Sequence, residues 1–211
     1  MKKIDFKFIA KFHVLSLHAL KLGFAGLGIA GLCVAFTACS ESFTDSRDGH
    51  TYSTAKIGNQ TWMAENLAYE AAGSACPDGE NKNCSKFGRL YPWEAAKSAC
   101  PEGWRLPSKE DFEALVKIAG NNTAGAALKA SNGWFKKGNG SDEFGFAAMP
   151  AGFKNSDGKF DGIGGYAHFW SATVDSQENT FAYFFALDFS SDRANVSSFD
   201  QGDARSVRCI K

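Results

Sequence analysis

The stretch GRLYPWEAAKSACPEGWRLPSKEDFEAL, Gly88–Leu115, carries the clearest structural signals in this 211-residue chain. A helix is predicted to begin at Pro92, because proline lacks the N–H group that is left unpaired in a first helical turn. Trp93, Ala96 and Cys100 recur at helical spacing, so one face of this helix is apolar and carries the cysteine. A proline and a glycine follow directly and end the helix.

A second helix is predicted to begin at Ser108. Its hydroxyl can cap the N–H group of Asp111, and the Asp111 carboxylate can reach back to the Ser108 N–H. Phe112 and Leu115 belong to the buried stripe of this helix, and Gly120 ends it. The stretch therefore predicts two amphipathic helices packed on a sheet, and none of its residues has the pattern of a catalytic group.

Strand and turn signals surround these helices and predict an α+β fold. An N-terminal hairpin comes first, the two main helices follow, and a strand-rich irregular half is closed by a C-terminal strand. The hairpin turns at Gly58-Asn59, and a second turn is expected at Asp157-Gly158. The remaining expected elements are a polar loop at 70–86, a short helix at Thr123–Ala130, and strands at Phe144–Pro150, Ala167–Thr173, Phe181–Phe189 and Ala204–Ile210.

The N-terminus has the pattern of a targeting segment. Five lysines precede an apolar run, Leu22–Ala38, that ends in small residues. Phe36-Thr37-Ala38-Cys39 resembles a bacterial lipobox, which predicts lipidation of Cys39 and cleavage just before it; ordinary signal cleavage near Ala38 is the alternative. We expect a signal peptide at 1–38, a polar linker at 39–50 and one domain at 51–211. This arrangement predicts a lipid-anchored protein of the cell envelope, at the outer membrane and facing the periplasm or the cell surface.

The charge balance argues against nucleic acid as a partner. Residues 1–38 hold five of the 23 basic residues and one of the 23 acidic residues, which leaves 18 basic and 22 acidic residues in 39–211. No cluster of Lys and Arg remains there, whereas nucleic-acid-binding domains carry a basic patch.

Four cysteines remain once Cys33 and Cys39 in the N-terminal region are set aside. An even number in an exported chain predicts two disulfides, for which three pairings exist. Cys76 and Cys84 flank a short polar loop and are expected to form a local bridge, which leaves Cys100 to pair with Cys209.

Three segments together resemble the Fibrobacter succinogenes major paralogous domain. They are IGNQTWMAENL (57–67), the 88–115 stretch and DEFGFAAMPAG (142–152), supported by FWSAT (169–173) and SVRC (206–209). The resemblance covers roughly residues 50–211 in order. It implies an exported or surface protein and assigns no chemistry, because members of that family have no assigned function.

A more distant resemblance concerns the fold. A cysteine-bearing helix, then Gly-Trp-Arg-Leu-Pro-Ser and a second helix, and a late Arg-Cys strand are similar to the C-type-lectin-like fold. The formylglycine-generating enzymes share this fold. The likeness implies a bridge from the first helix to the final strand, in agreement with Cys100–Cys209.

Catalysis and metal binding have weak support in the sequence. A Ser/His/Asp set would have to use His168, beside which no nucleophile motif occurs. The formylglycine-generating type needs a reactive cysteine pair near the C-terminus, where this chain has a single cysteine. The Glu-Pro-Asn, Gln-Pro-Asp and Trp-Asn-Asp motifs of calcium-dependent lectins do not occur, and Asp beside Gly or Ser is typical of turns. We therefore expect no cofactor. Calcium stays open as an alternative, because loop carboxylates suit it, but no motif supports it.

Binding through aromatic side chains is the function that the sequence favours. Aromatic residues on loops stack on sugar rings or fill protein pockets. Trp134 and Tyr166 have polar or glycine neighbours and are expected to be exposed, whereas Trp170 and Phe153 are expected in the core. The predicted ligand-binding residues are Trp134, Asn139, Asn155, Asp157, Tyr166 and His168.

These observations predict a surface-anchored, non-catalytic recognition domain for a glycan or another envelope component. One alternative is a formylglycine-generating-like enzyme with changed chemistry, which would show a polar pocket containing His168. The other is a structural envelope protein with no small ligand. A solvent-open aromatic surface would favour recognition.

Overall fold

The computed structural model describes residues 41–211, which form an α+β domain. Four α-helices occur in this part of the chain: α1 Asn81–Phe87, α2 Trp93–Ala99, α3 Lys109–Ile118 and α4 Ala124–Leu128. No helix in the described range has the length and apolarity needed to span a bilayer.

The strands form two mostly antiparallel sheets. The smaller has the order β1–β2–β3, with β1 Ser42–Thr44, β2 Thr51–Ile57 and β3 Gln60–Met63. The larger has the order β6–β5–β10–β7–β8–β9, with β4 also paired to β10. Among the strands of residues 41–211, only β10 and β7 pair in parallel. Its strands are β4 Leu90–Pro92, β5 Phe153–Lys154, β6 Phe160–Asp161, β7 Tyr166–Val174, β8 Phe181–Asp188, β9 Ala194–Asp200 and β10 Ala204–Ser206.

The local signals for the two main helices are confirmed. Ser108 and Asp111 form the reciprocal capping box at the start of α3. Helix α2 begins at Trp93, one residue later than predicted, because Pro92 is the last residue of β4 and has an extended backbone. The short helix α4 contains Gly125, at which a Cβ atom would collide with the backbone carbonyl of Arg193.

Aromatic side chains fill a core on each face of the larger sheet. On one face, Phe112 of α3 stacks on Phe185 of β8 with ring centroids 4.9 Å apart. On the other face, Trp93 of α2 and Trp170 of β7 pack together with Cys209. Strands β7 and β8 are therefore covered on both faces along part of their length. The remaining part of these two strands is not covered on both faces.

Both predicted disulfides are present. Cys76 and Cys84 are bridged with their Cα atoms 4.8 Å apart, and Cys100 and Cys209 with theirs 5.8 Å apart. The first bridge closes a segment that includes most of α1. The second joins the end of α2 to the C-terminal segment across 109 positions of sequence.

The predicted linker at 39–50 is wrong over its described part. Strand β1 pairs with β2, and Asp45 is fully buried. Arg47 forms an ion pair with Asp45 at 2.6 Å and donates to the Ala99 carbonyl oxygen at 2.9 Å, which explains how a carboxylate is buried here. The hydrogen bond from Arg47 lowers the pKa of Asp45. The predicted signal peptide at 1–38 and the lipidation site Cys39 lie outside the described residues.

The predicted strand Phe144–Pro150 is also wrong, because the segment is a loop with one bridge, from Ala148 to Lys129. Ala147 has a left-handed backbone with φ 48°, and its N–H donates to the Asp142 carboxylate at 2.6 Å. The Phe146 and Ala147 carbonyl groups accept hydrogen bonds from the buried Arg208 instead of from a strand.

Three smaller differences concern element bounds. The loop at 70–86 contains most of α1, and strand β9 was not predicted. The final strand ends at Ser206, and Ile210 then forms single bridges to Trp62 and Arg105.

Candidate functional site

One face of the larger sheet exposes a group of aromatic side chains. Strand register places Tyr166, His168 and Trp170 of β7 on the same face as Ala186 and Phe184 of β8. Trp170 is covered by α2, but the outer part of the face is open. We call this outer part the aromatic face and define it by Phe153, Tyr166, His168, Phe184 and Phe199.

Three of the other rings of the aromatic face contact His168. Its imidazole ring stacks on Phe153 with centroids 5.2 Å apart, and lies 5.6 Å from the Tyr166 ring and 5.0 Å from the Phe184 ring. Phe199 is 50% exposed and Tyr166 is 38% exposed, whereas Phe184 is buried.

A buried arginine forms the base of the aromatic face. The Arg205 guanidinium carbon lies 3.9 Å from the centroid of Phe184 and 5.7 Å from that of Phe199. Arg205 also donates to the Asp203 carboxylate at 2.7 Å. Burial lowers the pKa of Arg205 to about 10, and the Asp203 charge opposes this shift. The guanidinium is therefore cationic at neutral pH and holds the surrounding rings by cation–π contacts.

His168 is a neutral partner of this arginine. Arg205 Nη1 and His168 Nδ1 are 2.7 Å apart, and because arginine can only donate, the imidazole accepts at Nδ1 and carries its proton on Nε2. Burial, with a further contribution from the Arg205 charge, lowers the pKa of His168 to about 3. The ring is therefore neutral at physiological pH. It pairs with the Arg205 cation and not with a nucleophilic side chain, as a catalytic histidine would.

The His168 environment predicts acid sensitivity. The pKa of His168 is about 3 in the folded state and about 6.5 in the unfolded state. Between these pH values the unfolded state binds a proton that the folded state does not. The free energy of unfolding therefore falls as the pH drops below 6.5. Relative to His168→Gln, which keeps an acceptor for Arg205, the wild type should lose about 1–2 kcal/mol more unfolding free energy between pH 7 and pH 5. Denaturant titrations at the two pH values measure this difference. Equal losses in both proteins would contradict it.

Polar side chains border the aromatic face. Asn195 lies opposite Ala186, and Ser197 lies opposite Phe184, so both belong to this face of the sheet and both are exposed. Asp188 lies opposite Tyr166, and Asp161 lies opposite Phe153. The result is a set of apolar rings edged by groups that accept and donate hydrogen bonds.

The structure brings some of the predicted ligand-binding residues together. Tyr166 and His168 are part of the aromatic face. Asn155 and Asp157 lie in the β5–β6 turn, where Asn155 Oδ1 accepts from the Lys159 N–H at 2.8 Å. The same turn is joined to the base of the face by a 3.0 Å hydrogen bond from the Ser156 N–H to Asp203.

Trp134 and Asn139 do not belong to this surface, and the expectation that Trp134 is exposed is wrong. Trp134 is 6% exposed, and its indole Nε1 donates to the Ala148 carbonyl at 3.0 Å. The Lys129 ammonium lies 5.3 Å from its ring centroid. Asn139 accepts from the Trp134 backbone N–H at 3.1 Å, so its amide oxygen stabilises a turn. Phe153, expected in the core, is only partly buried.

Sequence reasoning missed Phe199, Asn195 and Arg205. The segment Ala194–Asp200 alternates partly buried and exposed positions, which is a strand signal, but its small polar residues make it weak. Arg205 has no local signal, because its partners come from four different strands.

A cleft lies apart from the aromatic face and shares none of its residues. This cleft of about 440 Å³ is lined by residues from the β3 exit, α1 and the 147–149 loop, including Glu65, Asn66, Lys86 and Met149. Asn66 forms part of its wall and accepts from the buried Arg208 at 2.5 Å.

No group of three or more His, Cys, Asp and Glu side chains within residues 41–211 has a geometry that could hold a metal ion. In the acidic loop after β8, the carbonyl oxygens of Asp188 and Ser191 accept from the Lys129 ammonium at 3.1 Å and 2.8 Å. A protein cation therefore contacts the loop carbonyls there.

The described residues thus form a disulfide-bonded α+β domain with a solvent-open aromatic face. The chain belongs to the Fibrobacter succinogenes major domain family, whose family model matches residues 55–211. Comparisons with curated proteins and with solved structures find no match.

Proposed function

We propose that this protein is a non-catalytic recognition domain that binds a polysaccharide, or a glycan-bearing envelope component, through the aromatic face. The observation that carries the proposal is the exposure of Phe199 and Tyr166, 50% and 38%, on one face of a sheet. Large exposed rings on one face of a sheet are costly to leave in water and are typical of binding surfaces.

The chemistry of the face fits a sugar ring. The C–H groups of a pyranose pack on an aromatic ring, and its hydroxyl groups need donors and acceptors beside that ring. Asn195, Ser197 and Asp188 supply such groups at the edge. Arg205 and His168 hold the rings from beneath, so little side-chain order has to be gained on binding.

The proposal includes export of the domain and its anchoring to a membrane. Lipidation at Cys39 would hold the domain at the envelope and present many copies on one membrane, which raises avidity for a polymer without a deep site. We further propose that the fold is a variant of the C-type-lectin-like fold. Its support is the order of hairpin, two helices and strand-rich half, together with the Cys100–Cys209 bridge.

The test is a screen of neutral and acidic polysaccharides and of envelope extract, with and without chelator. The full-length protein is compared with Phe199→Ala, Tyr166→Ala and Ile118→Ala. Ile118 is 44% exposed on α3, against the opposite face of the sheet, and serves as the matched control. Each aromatic substitution should weaken binding by about fivefold to tenfold, equivalent to roughly 1–1.5 kcal/mol, and the control should not.

Two results would contradict the proposal. Equal loss in Ile118→Ala would show that binding does not use the aromatic face. Binding to no polysaccharide and to no envelope component would favour a structural role.

A further inference from the structure

The two disulfides differ in what surrounds their sulfur atoms. Arg89 Nη1 lies 3.5 Å from Cys84 Sγ and 3.9 Å from Cys76 Sγ. Cys100 and Cys209 have no such neighbour: within residues 41–211, no cationic side chain hydrogen-bonds to either sulfur. Cys209 is fully buried in an apolar cluster.

Arg89 is fixed in this position by two other contacts. Its Nε donates to Ser74 Oγ at 2.9 Å, and its Nη2 pairs with the Glu70 carboxylate at 2.9 Å. These bonds use the other nitrogens of the guanidinium, so Nη1 is left directed at the bridge.

The two sulfurs of the short bridge also differ in access. Cys84 lines the 440 Å³ cleft and is partly exposed, whereas Cys76 is 8% exposed. A small molecule that enters the cleft therefore reaches Cys84 first.

From these contacts we propose that Cys76–Cys84 is a thiol-exchange site, at which a small aliphatic thiol forms a mixed disulfide with Cys84. The thiolate of the incoming molecule attacks Cys84 Sγ along the disulfide axis. A new sulfur–sulfur bond forms at Cys84, the Cys76–Cys84 bond breaks, and Cys76 leaves as a thiolate with the electron pair. No external oxidant or reductant is needed, because the incoming thiol is the only co-reactant.

Arg89 promotes this step by stabilising the negative charge that develops on the departing sulfur. A leaving thiolate beside a cation departs faster than one in an apolar surrounding. The same attack on Cys100 would release the Cys209 thiolate into the apolar core, so the long bridge resists exchange.

Opening the short bridge would change the cleft. The short bridge closes the segment that carries α1, and Cys84, Ser85, Lys86 and Phe87 form one wall of the cleft. Opening the bridge releases the start of that wall from Cys76, so modification at Cys84 would change the shape of the cleft and leave the aromatic face intact.

The experiment treats the folded full-length protein with reduced glutathione near neutral pH without denaturant. Acid quenching, alkylation and peptide mapping then follow each cysteine over time. We expect glutathione on Cys84, a free thiol on Cys76, and Cys100–Cys209 intact.

Two variants test the role of Arg89. Arg89→Met should slow exchange about tenfold, because the charge beside the leaving sulfur is lost. Glu70→Gln, which removes the ion pair but keeps the guanidinium, should exchange at close to the wild-type rate. If Arg89 were only structural, Arg89→Met would loosen the segment and speed exchange, which overturns the proposal. Equal opening of both bridges, or glutathione found on Cys76, overturns it as well.

Discussion

Replacing Arg208 by alanine is expected to lower the free energy of unfolding by about 3–5 kcal/mol, because it removes a large buried side chain and the donors for several buried acceptors. Arg208 is fully buried and donates to the Met63 carbonyl at 3.1 Å, to the Phe146 carbonyl and to Asn66 Oδ1 at 2.5 Å. Its guanidinium also lies 4.5 Å from the Phe146 ring centroid. Burial lowers the pKa of Arg208 to about 9, so the group is still cationic at neutral pH.

The matched control for this change is Arg105→Ala. Arg105 pairs with Asp111 at 2.6 Å, but its side chain is 55% exposed, and an exposed pair contributes at most about 1 kcal/mol. Denaturant unfolding of both variants gives the comparison. Similar losses for Arg208→Ala and Arg105→Ala would show that the 144–150 loop does not depend on the buried arginine.

Removal of the long disulfide is expected to cost about 2–5 kcal/mol of unfolding free energy. The bridge closes 109 positions of sequence, and its loss frees the unfolded chain to occupy far more conformations. The double substitution Cys100→Ser with Cys209→Ser removes it and leaves the short bridge in place.

The matched control is Cys76→Ser with Cys84→Ser, which opens a bridge of only 8 positions. In the chain-entropy description, its loss should cost about 2 kcal/mol less than the loss of the long bridge. Denaturant unfolding of both variants under non-reducing conditions measures the difference. A larger loss from the short bridge would contradict this ranking and would indicate that packing around α1 dominates.

The features that could be predicted from the sequence are those with a local cause. Ser108 and Asp111 form a cap because the interaction spans three residues. Gly58-Asn59 forms a turn because the backbone there needs a glycine, and Gly58 has φ 61°. The cysteine pairing followed from one short spacing and the two cysteines that remained.

The features that could not be predicted depend on contacts between distant residues. Phe144–Pro150 has the composition of a strand. However, two of its carbonyl groups accept hydrogen bonds from Arg208, which lies some 60 positions later in the chain. Trp134 has polar neighbours in sequence and is nevertheless buried, because Lys129 and Ala148 enclose it. Asp45 lies in a polar segment, and only the pairing of β1 with β2 and the contact to Arg47 bury it.

The candidate site shows the same division. Tyr166 could be selected from its glycine neighbours, whereas Phe199 joins it only through the register of β7, β8 and β9. His168 falls within the strand predicted at Ala167–Thr173, but its pairing with Arg205 depends on β10 lying parallel to β7.

The most direct test of the central claim is hydroxyl-radical footprinting of the full-length protein with and without a polysaccharide that it binds. We predict that Tyr166 and Phe199 become protected from oxidation, while Ile118 on α3 and Met149 in the cleft react at unchanged rates. Protection of Met149 with no change at Tyr166 and Phe199 would contradict the account and would place binding in the cleft instead of on the aromatic face.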